Sequence, residues 1–222
     1  MNNARLSGYV LIGSGGHSRV LAEIVQKNNK DICCLVTLTP PDNNGIFSDA
    51  VFLSDNDFIK QYDNKDVILV NGIGQVPYNR TRESIYKKYT RLGYKFGKII
   101  STNSVVSSFS SLSDGVQILT GAIIQYGAKI GSNSIVNTGA IVEHDSIIGD
   151  NCHIAPGSVI CGDVRIGHST IIGAGATVIQ GVTIGNNCII GAGAVITKDI
   201  SSSNICYPAR IHIEKIASEK MK

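Results

Sequence analysis

Every sixth residue from Ile100 to Ile196 is apolar: Ile100, Val106, Leu112, Ile118, Ile124, Ile130, and so on through Ile184, Ile190 and Ile196. All but Leu112 are β-branched. Four residues after each of them as far as Ile190 stands a small side chain, as at Ala122, Ala128, Ser134, Ala140, Ser146 and Cys152. A repeat of six fits neither the helical period of about 3.6 residues nor strict alternation. It predicts a parallel β-helix in which each hexad forms one flat side and three hexads close a triangular coil. The large aliphatic points inward, the small residue packs near the corner, and the glycines after many of the aliphatics supply permissive turn backbone.

The 222 residues suffice for two modest domains. A net charge of +3 gives no basic field for nucleic acid. No apolar run is long enough to span a bilayer. The N-terminus enters a short strand without the apolar core of a secretory signal, so a cytoplasmic protein is expected. Cys33 and Cys34 are adjacent, and Cys152 and Cys188 sit on one side of the prism two coils apart. Coils stacked ~4.8 Å apart put that pair near ~10 Å, beyond the disulfide reach of roughly 7 Å. Reduced thiols are the expectation.

Before the repeat, residues 8–13 read as a buried strand, 14–19 as a glycine-rich turn and Val20 to Lys27 as a helix. Further strands are expected at Asp31 to Val36, Asp66 to Val70 and Lys95 to Ile100, with short elements near Val51–Leu53 and Asp55–Tyr62, and a helix from Asn79 to Leu92. This is a half-sized Rossmann-like α/β domain over residues 1–99, followed by the β-helix over 100–206 and a tail over 207–222. Thr39 to Gly45 reads as a loop, and the tail has the composition of a short helix. The turn Gly13-Ser14-Gly15-Gly16-His17 lacks the third glycine of a dinucleotide fingerprint. Its helix N-terminus suits the diphosphate of a nucleotide instead, with a purely structural turn as the alternative.

Three histidines fall within the prism, none in an inward column, so each should reach the surface or a subunit interface. His144 is flanked by Glu143 and Asp145. A carboxylate can fix the imidazole tautomer and stabilise the imidazolium, as a general base requires. Gly162 follows three hexads later, one coil along the same column. A glycine N–H there can approach a developing oxyanion closely.

The tandem hexads resemble those of the left-handed β-helix acyltransferases. With the Gly13–His17 turn, Asn137-Thr138-Gly139-Ala140, the run from Glu143 to Asp150, His153-Ile154-Ala155-Pro156-Gly157 and Pro208-Ala209, the whole chain resembles the two-domain sugar acetyltransferases. These are the sialic acid O-acetyltransferase and UDP-4-amino-sugar N-acetyltransferase (PglD-like) types. The resemblance implies a left-handed prism, a homotrimer with active sites between neighbouring prisms, and acetyl-CoA as donor. It implies His144 as base, supported by Asp145, with Gly162 N–H on the thioester oxygen and His153 by the acetyl carbonyl. Ala174 and Ala192 would border the pantetheine arm, and Asn137 would face the sugar. Gly13, Ser14, Gly15, Gly16 and His17 would hold the nucleotide, with Thr37 beside it. Two departures stand out: Leu35-Val36-Thr37-Leu38 replaces the acidic pair usual after the second strand, and Cys206-Tyr207-Pro208 replaces Gly-x-Pro.

The expected reaction is direct acetyl transfer to the amine of a nucleotide-linked (UDP- or dTDP-linked) 4-amino-4,6-dideoxy sugar, for bacterial surface glycans. O-acetylation of a sialic acid or another hydroxyl is the nearest rival, and a non-catalytic scaffold a remote one. A carbonic anhydrase zinc site needs three converging histidines. His144 sits on a different side from His153 and His168, so no metal is expected.

Overall fold

A computed structural model of the chain describes residues 8–38, 45–48 and 50–208. Most of the loop read at 39–45 and all of the tail beyond Pro208 lie outside the described residues.

The α/β unit runs β1 (Gly8–Ile12), α1 (Gly16–Lys27), β2 (Ile32–Val36), β3 (Phe52–Leu53), α2 (Asp55–Gln61), β4 (Val67–Asn71), α3 (Thr81–Arg91) and β5 (Lys95–Phe96). Its strands form one parallel sheet in the order β3-β2-β1-β4-β5. The short element expected near Val51–Leu53 is the two-residue edge strand β3, and the other edge strand, β5, is equally short. The expected strand from Lys95 to Ile100 is two: Phe96 pairs with Leu69, whereas Ile99 pairs with Gln117 in the prism. Helix α1 begins four residues earlier than read, because its first turn is the glycine-rich segment itself.

Alternation along the strands sorts the apolar side chains to two faces. Leu11, Leu35 and Val70 pack under α1, together with Ile99, Leu119 and Ile135 of the prism. Val10, Ile12, Cys34, Val36 and Leu69 pack under α2 and α3 with Phe58 and Tyr89. The helix α1 is therefore held between its own sheet and the prism.

From Ile99 onward the chain is a left-handed parallel β-helix of two-residue strands. Each strand pairs in parallel with the one three hexads on, as Ile135 does with His153 and Ile141 with Val159. The stacked strands make three faces. The first presents Ile99, Gln117, Ile135, His153, Ile171, Ile189 and Ile205 outward; the second, Val105, Ile123, Ile141, Val159, Thr177 and Val195; the third, Ser111, Lys129, Ile147, Arg165 and Thr183. The inward aliphatics and the small column form one continuous core. Small polar members of that column are satisfied by the backbone of the next coil: Ser134, Ser146 and Thr170 each donate to a carbonyl at 2.8 Å. The last coil is shorter, with Ile189 pairing Ile205 and Ile184 bridging Ile200, each closing in less than three full hexads. All six cysteines are free thiols.

Inward and outward positions should differ sharply in stability. Ile154→Ala, fully buried, is expected to cost ~2–5 kcal/mol, whereas Ile147→Ala on the third face should cost under about 1 kcal/mol. Urea unfolding of the two variants measures the difference.

Candidate active site

The outermost candidate residues sit on the edge where the second face turns into the third. His144 and Asp145 stand there, with Asp145 in the left-handed region (φ 60°). His144 Nδ1 lies 3.0 Å from Asp145 Oδ2. Asp145, rather than Glu143, is thus the carboxylate paired with the ring. A carboxylate oxygen accepts, so Nδ1 carries the proton and Nε2 presents a lone pair. That nitrogen lies over Gly162: a Cβ at 162 would meet Nε2 at 2.6 Å. A side chain at 162 would therefore displace the imidazole from this position. Asp163 N–H bonds the His144 carbonyl at 3.0 Å, which ties the two coils at this point. Both His144 and Asp145 are more than half exposed in the single chain.

Ala174 and Ala192 lie on a different edge, where the first face turns into the second. Within one chain they do not meet His144; the second face separates them. Asn137 and His153 occupy the first face, with Asn137 Nδ2 3.0 Å from His153 Nε2. His153 points outward as expected, but into the seam with the α/β unit of its own chain rather than to the surface or a subunit interface. Its Nδ1 is 3.1 Å from the Gln75 carbonyl.

The carboxyl ends of β1, β2 and β4 frame a crevice of 430 Å³. It opens beside β1, where the sheet order reverses and open α/β sheets bind ligands. Gly13, Ser14 and Thr37 line it, with Ile12, Val36, Ile73 and Ile85 as apolar wall. Ser14 Oγ and Thr37 Oγ1 are 3.1 Å apart. Asp55 also borders the crevice, but Lys88 and Tyr89 hold its carboxylate. Gly15 and Gly16 are exposed at the start of α1, whose first turn carries no acidic residue and no side-chain cap. Unpaired N–H groups at such an end favour an anion. Close packing forms this turn: Ser18 Oγ donates to the Gly13 carbonyl at 2.6 Å, and a Cβ on Gly72 would meet that hydroxyl at 1.9 Å.

His17 departs from its expected place at the nucleotide. Its ring is turned into the seam with the prism, where Nε2 lies 2.8 Å from Gln117 Oε1. Gln117 Nε2 in turn donates to the Asn71 carbonyl at 2.8 Å. Beside them Arg82, 2% exposed, donates to the carbonyls of Asn71 (2.8 Å), Ile73 (2.7 Å) and Asn133 (3.1 Å). Burial and the Arg82 cation depress both His17 and His153 to about 4. The sequence reading missed Gln75, Arg82, Gln117 and Asn133. One signal was available: Gln117 and His153 are the polar members of an outward column otherwise made of isoleucines.

His168 has a structural partner: its Nδ1 accepts the Asp150 N–H at 3.0 Å, one rung of a ladder that continues as His168 N–H to Asn186 Oδ1 at 2.8 Å. The three prism histidines do not converge within the chain. Burial raises the Cys152 thiol to about 12, which leaves it inert as a nucleophile.

Comparison with known proteins places this geometry. The PglD N-terminal domain model matches residues 9–89, and the bacterial transferase hexapeptide model matches 127–162 and 163–198. No curated protein sequence matches. A perosamine N-acetyltransferase from Caulobacter crescentus, solved as a histidine-to-asparagine variant with CoA and GDP-perosamine, is 32% identical (TM-score 0.82) over 94% of this chain and 98% of that one. The chain belongs to the PglD-like hexapeptide acetyltransferases. The acetyltransferase domain of PglB from Neisseria gonorrhoeae, solved with acetyl coenzyme A, is 28% identical (TM-score 0.80) over 92% of this chain and 98% of that one. WeeI from Acinetobacter baumannii shares the fold at 23% identity (TM-score 0.77), over 89% and 94%. As a PglD-like protein the chain is a sugar acetyltransferase. Among the described residues no helix is long and apolar enough to cross a membrane.

The buried histidines make stability pH-dependent. Both fall from 6.5 to about 4 on folding, so between those values the unfolded chain binds the extra protons. Their share of stability is complete above pH 6.5 and is lost as pH falls toward 4, at ~1.4 kcal/mol per pH unit for each ring. Urea midpoints should decline over that window, and His17→Gln should flatten the decline.

Proposed function

We propose that this chain transfers the acetyl group of acetyl-CoA to the amine of a nucleotide-linked 4-amino-4,6-dideoxy sugar. The observation that carries the reading is the His144–Asp145 pair standing over Gly162. His144 Nε2 takes the proton of the attacking amine as it adds to the thioester carbonyl, and Asp145 holds the tautomer. Gly162 N–H, with no acceptor of its own among the described residues, lies beside Nε2 to receive the oxyanion. Collapse expels the CoA thiolate, which the imidazolium protonates. The crevice at Gly13, Ser14 and Thr37, with the open N-terminus of α1, suits a nucleoside diphosphate. That favours an amine on a nucleotide sugar over a free sialic acid. Relatives solved with acetyl coenzyme A, and with CoA and GDP-perosamine, support both substrates.

The site is built between subunits in this reading. Of the three prism faces, the first is largely covered by the α/β unit and the third is mainly polar. The second is apolar and uncovered, with Val105 and Val195 each 64% exposed. His144 flanks it on one edge, Ala174 and Ala192 on the other. Burying second faces around a threefold axis brings the His144 edge of one subunit to the Ala174–Ala192 edge of the next, where the pantetheine arm would lie.

Three measurements test this. Release of CoA from acetyl-CoA is followed with UDP-, dTDP- and GDP-linked 4-amino-6-deoxy sugars and with free sialic acid. Turnover on a nucleotide amino sugar is expected; turnover on sialic acid alone would move the reading to a hydroxyl, and silence on all would remove it. His144→Ala should lower kcat by ~10²–10⁴-fold without altering sedimentation, and near-wild-type turnover would take His144 out of the base role. Val159→Glu, at the centre of the second face, should convert trimers to monomers and abolish activity together in sedimentation and turnover assays.

A further inference from the structure

Arg82 carries a buried charge that no carboxylate among the described residues offsets. The side chain is 2% exposed, and its Nε and Nη1 are spent on the carbonyls of Asn133, Asn71 and Ile73. Carbonyls accept hydrogen bonds but supply no full negative charge. Burial depresses the group to about 9, with no acid acting against that shift. Nη2 has no partner among the described residues. A second orphan has the opposite character. Gln75 Nε2 donates to the Asn151 carbonyl at 2.8 Å, which fixes the direction of the carboxamide. The buried Oε1 is left without a donor among the described residues. Arg82 and Gln75 line the same cavity of 280 Å³, room for several waters rather than one. Buried cations are ordinarily paired and buried acceptors ordinarily bonded.

The cavity lies between the β4–α3 connection and the last coils of the first face. Ile171, Ile189 and Ile205 form its apolar wall. Arg80 and Glu83 also line it but are engaged. Arg80 bonds Glu83 Oε2 at 3.3 Å and Asn187 Oδ1 at 2.7 Å, and Lys87 holds the other Glu83 oxygen at 2.5 Å. We propose that this cavity binds a small 2-hydroxycarboxylate, with its carboxylate on Arg82 Nη2 and its hydroxyl donating to Gln75 Oε1. The apolar wall and the single uncommitted guanidinium favour a monocarboxylate over a phosphate dianion. Ser169 and Ser203 line the cavity where the third face turns into the first. That edge is not the one that carries His144, and association through second faces leaves it open. Ile73 and Thr81 border the crevice at the end of β1, so the β4–α3 connection has that crevice on one side and this cavity on the other. The bound anion neutralises the seam and braces the connection against the prism.

The test uses the full chain without acetyl-CoA or sugar, so its outcome is separate from that of the acetyl-transfer reading. Calorimetric titration with L-lactate should show one saturable site per chain with a Kd of roughly 1 mM or tighter. The thermal midpoint should rise as lactate passes that concentration. Propionate, which lacks the hydroxyl, should bind about tenfold more weakly. Gln75→Leu should lose the same factor for lactate and leave propionate unchanged. Ile189→Trp fills the cavity from an outward position and should abolish binding, with circular dichroism and sedimentation as in the parent. It keeps the test decisive if variants of Arg82 fail to fold. A crystal grown with lactate should show a carboxylate oxygen within hydrogen-bond distance of Nη2. Absence of saturable binding, tighter binding of inorganic phosphate, binding that survives Ile189→Trp, or water alone at Nη2 would each overturn the proposal.

Discussion

The parallel ladder between coils is the constraint on which the rest of the structure depends. Each strand is only two residues long and has no stability of its own. It persists because backbone bonds join it to the coils on either side, as Ile141 N–H to the Ser158 carbonyl and Val159 N–H to the Ala176 carbonyl. The three-hexad register superimposes aliphatic on aliphatic and small on small. The same register brings His144 above Gly162 and Asn137 beside His153. Site geometry and core packing are here one requirement.

The seam between the two units obeys a different logic. A guanidinium as deeply buried as Arg82 is costly unless its donors are used, and here Nε and Nη1 are used while Nη2 has no partner among the described residues. Its bonds to carbonyls of Asn71, Ile73 and Asn133 join the end of strand β4 to the prism. Asn71 Nδ2 adds a bond to Asn133 Oδ1 at 3.1 Å, and His17 and Gln117 extend the network toward the glycine-rich turn. The crevice at the carboxyl ends of β1, β2 and β4 and the first face of the prism are thereby set at a fixed spacing by polar groups, while α1 supplies the apolar contact.

Legibility in the sequence followed the presence of a period. The inward column, the small column and the stacking of His144 on Gly162 could be read because a repeat multiplies each signal along the chain. The order strand, glycine turn, helix was likewise readable from local chemistry. The two-residue edge strands were placed only roughly, β3 as a short element and β5 merged with the first strand of the prism, because neither is long enough to show a period. The seam was hidden for a related reason: Arg82, Gln75 and Asn133 are single residues whose partners lie far along the chain, and nothing local marks an arginine as buried. His17 shows how a motif can mislead. Its glycines do form the turn, but the ring that follows them is claimed by Gln117, a residue 100 positions away.

The shortened final coil has a consequence for how such a chain can vary. A prism of this kind changes length in quanta. Adding or removing a whole coil leaves every facet facing as before, whereas any other insertion rotates all later side chains to new directions. The shortfall falls between Ile184 and Ile200 on one face and between Ile189 and Ile205 on another. Only the last coil, above Ala192 and the whole candidate site, inherits the mismatch. The end of the prism is thus where this architecture can absorb irregular change, and the coils beneath it are held to whole steps.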